Sequence, residues 1–288
     1  MRVAVFGSRG TLGSATVHGF QGHDVFAFDR LAVDITSHDS VERAVTRVGA
    51  DVLINGAAYN AVDAAEDHPL DALAANAFAV RTLARVARAH GATLVHYGSD
   101  FVFDGTGQRP YTEVDQPNPR SVYATSKMLG EWFAADAPHA YVLRVESLFG
   151  RVADGPPERG SVAGVVRGLL AGSVPKVFED RTVSPTYVPD AVAATLALLE
   201  RKAPAGLYHC VSTGHCTWLD LAREAARLLG VEPRVEPVRM ADVSFRAPRP
   251  LYCALSNEKL AAAGIAMPTW QDALARYIRG LRTGSGSR

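Results

Sequence analysis

Tyr123 and Lys127 stand four residues apart in Tyr123-Ala-Thr-Ser-Lys127. At that spacing two side chains share one helix face, so a phenol and an ammonium can serve a single site. A free phenol titrates near about 10 and exchanges protons poorly at neutral pH. A neighbouring ammonium stabilises the phenolate and is expected to lower that value, which makes the tyrosine a proton-transfer group. Ser99, in His96-Tyr-Gly-Ser-Asp-Phe101, offers a hydroxyl that can donate to a carbonyl oxygen as negative charge builds there. Each signal has a plainer alternative, a surface Tyr/Lys pair or a Ser-Asp turn. The elements that carry them decide.

Gly7-Ser8-Arg9-Gly10-Thr11-Leu12-Gly13 follows a short β-rich run and opens a helical one. In that context, glycines at positions one, four and seven bind a dinucleotide. Gly7 permits the tight turn, Gly10 lets backbone approach a pyrophosphate, and Gly13 lets helix and sheet pack closely. The helix N-terminus adds free N–H groups and partial positive charge. Asp29 ends the second strand about twenty residues on, where an acid takes the adenosine ribose hydroxyls. That favours NAD(H), but Arg30 or Arg9 can pair with a 2′-phosphate, so NADP(H) stays open. Asp34 and Ile35 either edge the adenine or form a turn before the next helix. Ala57 and Ala58, with Tyr59 after them, either give a dinucleotide room to lie flat or simply pack well. Asn76 either anchors backbone or binds a water near Lys127. With a nicotinamide present, its positive ring joins Lys127 in stabilising the phenolate, and Lys127 can also hold ribose hydroxyls. Arg144 is either structural or substrate-facing.

Strand-like runs at 2–6, 24–28, 51–54, 93–97 and 141–145 alternate with helical runs at 12–20, 40–48, 71–90 and 121–135. This pattern predicts an α/β fold, a Rossmann-type doubly wound parallel sheet, over residues 1–150. Ligands of such sheets bind at the carboxyl ends of the strands, which is where Ser99 and the glycine loop fall. After Gly150 the texture becomes proline-rich. Helices are expected at 162–171, 190–199 and 218–229, with extended segments at 174–178 and 184–188 and a mobile loop at 155–160. Residues 151–282 read as a smaller C-terminal substrate-binding lobe interleaved with the end of the sheet, and 283–288 as a flexible tail.

The chain has 288 residues, 48% hydrophobic and 21% charged, with zero formal net charge. That balance gives no reason to expect nucleic acid or a membrane as partner. Cys210, Cys216 and Cys253 form no CxxC pair and are odd in number, which argues for reduced thiols and a cytoplasmic protein. No signal peptide is read at the N-terminus.

These residues together resemble extended short-chain dehydrogenase/reductases, and within them the dTDP-4-dehydrorhamnose reductase family. The resemblance covers nearly the whole chain. It rests on Gly7–Gly13, Asn55-Gly-Ala-Ala-Tyr-Asn-Ala-Val-Asp63-Ala-Ala-Glu66, Ser99-Asp-Phe-Val-Phe-Asp-Gly105, Tyr123–Lys127 and Ser184-Pro-Thr-Tyr187. It implies reduction of a 4-keto group on a nucleotide-activated 6-deoxyhexose by NAD(P)H, with Tyr123 giving the proton and Ser99 polarising the ketone. It places Asp100, Phe101, Val102, Glu146 and Arg181 at the substrate, and a homodimer is a family expectation.

This chain departs from the family where the substrate sits. Phe101 replaces a usual tyrosine. Arg144-Val-Glu-Ser147 replaces Arg-Thr-Ser-Trp, and Arg181 falls where glutamine is usual. Related dehydratases carry an acid directly after the loop aspartate, and Phe101 removes it, which favours a simple reductase. A glutamate linked in some relatives to a metal-bridged dimer is Ala15 here, so no metal is expected. An epimerase on the same scaffold, or a silent dinucleotide-binding regulatory subunit, are the competing readings.

Overall fold

The structure is a computed structural model that describes residues 1–152, 155–158 and 160–284. Along the chain run β1 (Arg2–Phe6), α1 (Thr11–Gly19), β2 (Asp24–Phe28), α2 (His38–Val48), β3 (Val52–Asn55), α3 (Val62–Asp67), α4 (Pro69–Leu73), α5 (Ala79–His90), β4 (Thr93–Ser99), α6 (Val122–Ala135) and β5 (Ala140–Val145). The second half contributes β6 (Leu148–Phe149), α7 (Ser161–Leu170), β7 (Lys176–Phe178), β8 (Thr182–Val183), β9 (Thr186–Tyr187), α8 (Val188–Glu200), β10 (Gly206–His209), β11 (Cys216–Thr217), α9 (Trp218–Leu229), β12 (Glu236–Val238), α10 (Glu258–Ala262) and α11 (Trp270–Gly284).

Six strands form one parallel sheet in the order β10-β5-β4-β3-β1-β2. Strands β3 and β5 are buried along their whole length, and β1 along all but Arg2, because helices cover both faces. One face packs Val3, Val5, Ile54 and Leu143 against α1 and α8. The other packs Ala4, Phe6, Leu53 and Leu94 against α2 and α5. The fold is therefore the Rossmann-type doubly wound sheet. Chain order reverses direction between β1 and β3, and a crevice opens there beyond the strand ends. The lobe has its own core, in which Phe149 and Trp218 meet α7, α9 and α11.

Several boundaries differ from the sequence reading. α8 and β10 belong to the layers of the main sheet, so residues 151–282 divide between that sheet and the smaller lobe. β10 carries little strand signal in the sequence, because Gly206-Leu-Tyr-His209 is short and lacks a β-branched residue. α8 starts at Val188, since Pro189 lies in the first turn, where its missing N–H costs no hydrogen bond. Thr283 and Gly284 belong to α11, and the remainder of the expected tail, 285–288, lies outside the described residues. In the loop at 155–160, Glu158 is held at both oxygens, by the Gly150 N–H and the Tyr277 hydroxyl, each at 2.6 Å.

The expected helix at 71–90 is interrupted by a π-helical turn at Ala74–Phe78. Such turns recur near functional sites. Here the turn brings Asn76, 1% exposed, against α6. Its amide spans the Tyr59 backbone, accepting from the N–H at 2.8 Å and donating to the carbonyl at 3.0 Å, and it also donates to the Ser126 hydroxyl.

Helix α6 is seated by four further features. Ser121 caps it, and Glu66 accepts its Val122 N–H at 2.9 Å. A Cβ on Gly130 would lie 2.1 Å from the Asn76 carbonyl oxygen, so only glycine lets the two helices approach this closely. Glu131 takes Arg144 of β5 through two guanidinium nitrogens, the closest contact being 2.8 Å, with both side chains at or below 5% exposure. Arg144 is thus structural. Breaking such a buried pair from one side costs roughly 3–5 kcal/mol, because it strands the other charge. Glu131→Ala is expected to lose stability of that order in urea unfolding. Glu131→Gln, which keeps an acceptor for Arg144, should lose less.

Candidate active site

A cavity of about 1000 Å³ lies across the carboxyl ends of the sheet strands. Gly7, Arg9, Gly10, Thr11, Leu12, Asp29 and Arg30 form one end of its lining, and Ala57 and Ala58 the middle. Ser99, Asp100, Phe101, Tyr123, Lys127 and Glu146 line it as well. The glycine loop and the Tyr/Lys pair, 110 residues apart in the chain from Gly13 to Tyr123, thus open on one space.

The loop is built for close approach. Gly7 has φ of 75°, and a Cβ there would sit 2.6 Å from the Ala57 nitrogen. A Cβ on Gly13 would lie 2.1 Å from the Gly7 carbonyl oxygen, so Gly13 lets the loop fold onto the first turn of α1. Gly10 caps that helix without a side chain, leaving the N-terminal amides facing the cavity end. These features fit the diphosphate of a nicotinamide dinucleotide. Asp29 accepts the Leu31 and Ala32 N–H groups and pairs with Arg9 at 2.7 Å. The Ala32 amide foremost, with help from Arg9, holds its carboxyl below the usual range.

Not every candidate reaches the cavity. The Ser8 N–H bonds the Phe28 carbonyl, tying β1 to β2. Asp34 accepts from the Thr36 N–H and hydroxyl, so it forms the turn before α2, and Ile35 packs on the core beneath that helix. Tyr59 and Asn76 hold each other and position α6 rather than line the cavity. Val102 is fully buried with Phe103, Met128, Val211 and Leu255. Arg181 lies behind Phe101, its guanidinium 5.6 Å from the ring centroid. Conversely, Asn60, Val62, Leu148 and Glu158 line the cavity without having been singled out. Glu158 gave no local signal, because its partners lie 8 and 119 residues away.

In two of the strings that carry the resemblance, the acidic residues Asp63 and Asp104 are structural. Asp63 takes Arg249 bidentately, at 2.8 and 2.7 Å, which ties α3 to the segment after β12. Asp104 accepts from Thr106, Tyr111 and Asn118 and so folds the loop after β4.

At the reacting end, the Ser99 hydroxyl donates to Asp100 at 3.1 Å. Lys127, 4% exposed, donates to the Tyr97 carbonyl at 2.6 Å. Burial pushes Lys127 down to about 8. Tyr123 departs from expectation. Burial and the Asp100 charge push its phenol up to about 12, with only Ser99 acting the other way. The lysine ammonium is engaged by Tyr97 and does not offset that burial. A phenol held protonated is suited to giving its proton to an alkoxide. Ser147 follows β5 with φ of 43°, a conformation most side chains avoid, and the turn it makes keeps Glu146, Ser147 and Leu148 along the cavity.

A second hollow, of about 560 Å³, lies in the lobe around Glu179, Asp180, Asp220 and Arg239. Its charges are spent locally: Arg239 pairs with Glu179, Asp180 accepts the Met240 N–H, and Asp220 closes the cap of α9. Among the described residues no helix is long and apolar enough to cross a membrane. Cys210, Cys216 and Cys253 are buried free thiols.

Known proteins match this chain in sequence and fold. A family described as the RmlD substrate binding domain matches residues 1–283. A dTDP-4-dehydrorhamnose reductase of Mycobacterium tuberculosis is 37% identical over 287 residues, covering 96% of this chain and 92% of the relative. The crystal structure of such a reductase from Clostridium acetobutylicum superposes with a TM-score of 0.91 at 31% identity, covering 98% of this chain and all of the other. That of Bacillus anthracis, solved in complex with NADP, has a TM-score of 0.90 at 29% identity and covers 97% and 99%.

Removing the phenol hydroxyl alone tests the acid. Tyr123→Phe is expected to lower kcat by about 10²–10⁴-fold, the usual worth of a positioned acid, while cofactor binding, followed by protein fluorescence, changes little. Because Lys127 loses its proton above about 8, kcat/KM should fall on the alkaline side of that pH. In Lys127→Arg, whose guanidinium stays charged, that alkaline limb should vanish from the measured pH profile.

Proposed function

The chain belongs to the RmlD substrate binding domain family, within the extended short-chain dehydrogenase/reductases, and on that premise we propose that it reduces the 4-keto group of a nucleotide-activated, dTDP-linked 6-deoxyhexose. It is an NAD(P)-dependent oxidoreductase. The observation that carries the proposal is one cavity lined both by the glycine loop and by Ser99, Tyr123 and Lys127.

When bound, the reduced nicotinamide supplies a hydride to the carbonyl carbon. The chain's own groups handle charge and proton. The Ser99 hydroxyl turns from Asp100 to the ketone oxygen and stabilises the developing alkoxide. Tyr123 gives its proton to that oxygen, so the ketone becomes an alcohol and the tyrosine a phenolate. Lys127 keeps a positive charge one helical turn from the phenolate and holds ribose hydroxyls of the cofactor. Phe101 stands edge-on to Tyr123, ring centroids 5.5 Å apart, and offers no acid for an elimination. This supports simple reduction over dehydration.

The choice between NADH and NADPH is assigned to the Arg9–Asp29 pair. A carboxylate at the ribose repels a 2′-phosphate, whereas Arg9, freed from Asp29, attracts one. The native pair favours NADH in this proposal. Asp29→Asn is expected to shift the ratio of kcat/KM toward NADPH by about tenfold or more, a change of about 1.4 kcal/mol.

The activity itself is tested by following NADH and NADPH absorbance with dTDP-4-keto-6-deoxyhexoses. Oxidation of cofactor that depends on the sugar and on Tyr123 is the expected result. Tight cofactor binding without turnover of any keto sugar would instead mark a regulatory subunit.

A further inference from the structure

Asn55 ends β3, and His96 stands beside it in register on β4, so both side chains leave the same face of the sheet. Each residue is 1% exposed. Asn55 Oδ1 accepts the Ala57 N–H at 3.1 Å. The amide nitrogen is thereby turned to His96 and meets Nδ1 at 3.1 Å. An amide nitrogen only donates, so Nδ1 is the acceptor and the ring proton sits on Nε2. The other tautomer, or a charged ring, would set hydrogen against hydrogen. Burial, with the Lys127 charge, holds the ring neutral.

The far side of the ring has no such match. Nε2 is buried and, among the described residues, has no partner. It faces Gly130 of α6, where a Cβ would come within 3.2 Å of it. An apolar side chain would fill this space without stranding a donor. A buried polar atom left unmet calls for an explanation. The bond at Nδ1 supplies one, because it reaches the cavity through Asn55.

Ala57 lines the middle of that cavity. The Gly56 N–H is held by the Phe6 carbonyl at 2.9 Å, and a Cβ on Gly56 would lie 3.3 Å from Gly13. The Gly56–Ala57 peptide thus lies tight against the glycine loop, and Asn55 Oδ1 fixes which way it faces. Without an acceptor at His96, the Asn55 amide becomes a buried donor with no partner. It is then free to turn and release the Ala57 N–H.

We propose that His96 is a positioning residue for the dinucleotide: through Asn55 it fixes the Ala57 backbone that forms the middle of the cavity wall. The inference rests on the dinucleotide reading of the cavity and extends it to a side chain that does not line it.

The test pairs His96→Leu, which removes the acceptor, with His96→Asn, whose carbonyl oxygen can stand where Nδ1 does. NADH binding is followed by protein fluorescence, turnover by cofactor oxidation, and the Ala57 amide of the cofactor-free protein by hydrogen exchange. His96→Leu is expected to raise Kd and KM for NADH about tenfold, to speed Ala57 exchange by a similar factor, and to lower kcat less than about threefold. His96→Asn should stay within about threefold of wild type in all of these. Equal losses in the two variants mark the ring as a filler and overturn the proposal, as does unchanged NADH binding in His96→Leu. A measurement on the wild type needs no variant to fold: ¹⁵N NMR of the ring at neutral pH should find the proton on Nε2, and a proton on Nδ1 overturns the proposal. Wild-type protein that binds neither NADH nor NADPH overturns the dinucleotide reading together with it.

Discussion

The geometry of the site depends on how closely α6 lies against β4 and β5. Tyr123 and Lys127 are carried on that helix, whereas Ser99 and the carbonyl that holds Lys127 belong to β4. Two glycines set the distance. A Cβ on Gly98 would meet Glu131 at 2.3 Å, and one on Gly130 would meet Asn76. The space they leave is filled by the Glu131–Arg144 pair, which also lies over Phe103, 5.0 Å from the guanidinium carbon to the ring centroid. Buried pairs seldom add net stability over an apolar contact, and conformational specificity is one role proposed for them. Here the pair fixes register: α6 cannot slide along β5 without separating opposite charges in a dry interior.

Burial then decides the protonation states. The enclosure that aligns Tyr123 with Ser99 also removes water from the phenol, and without ligand that penalty outweighs the nearby ammonium. Spacing alone puts Tyr123 and Lys127 on one face, but it does not say how dry that face is. The expected drop in the tyrosine pKa thus becomes a rise, and the residue is poised as a donor. His96 is affected in the same way. Desolvation holds it neutral, where its ring nitrogen meets the Asn55 amide at 3.1 Å.

What was legible in the sequence follows the range of the interactions involved. The strand-loop-helix unit around Gly7–Gly13 and the Tyr-x-x-x-Lys turn are local patterns, set by chirality and helical period, and they stand out. The role of Arg144 was not legible, because its partner comes from another element. Asp34 and Ile35 looked like cofactor contacts because they fall near the right strand, yet an Asx-type hydrogen bond claims Asp34. Glu146 was flagged only by comparison with a family pattern. Its buried carboxyl is placed by Ser184 and lies beside Asp100, residues brought together by the fold.

The π-helical turn at Ala74–Phe78 holds one residue more than the α-helix on either side would need. An α-helix turns about 100° per residue. Loss of a single residue there would let α4 and α5 fuse into one regular helix with better local geometry. Asn76 would then rotate away from Tyr59 and Ser126, and the support beneath α6 would go with it. A one-codon deletion could thus silence the site while leaving the sheet and both cores intact, so catalytically idle descendants of this architecture lie one short mutational step away.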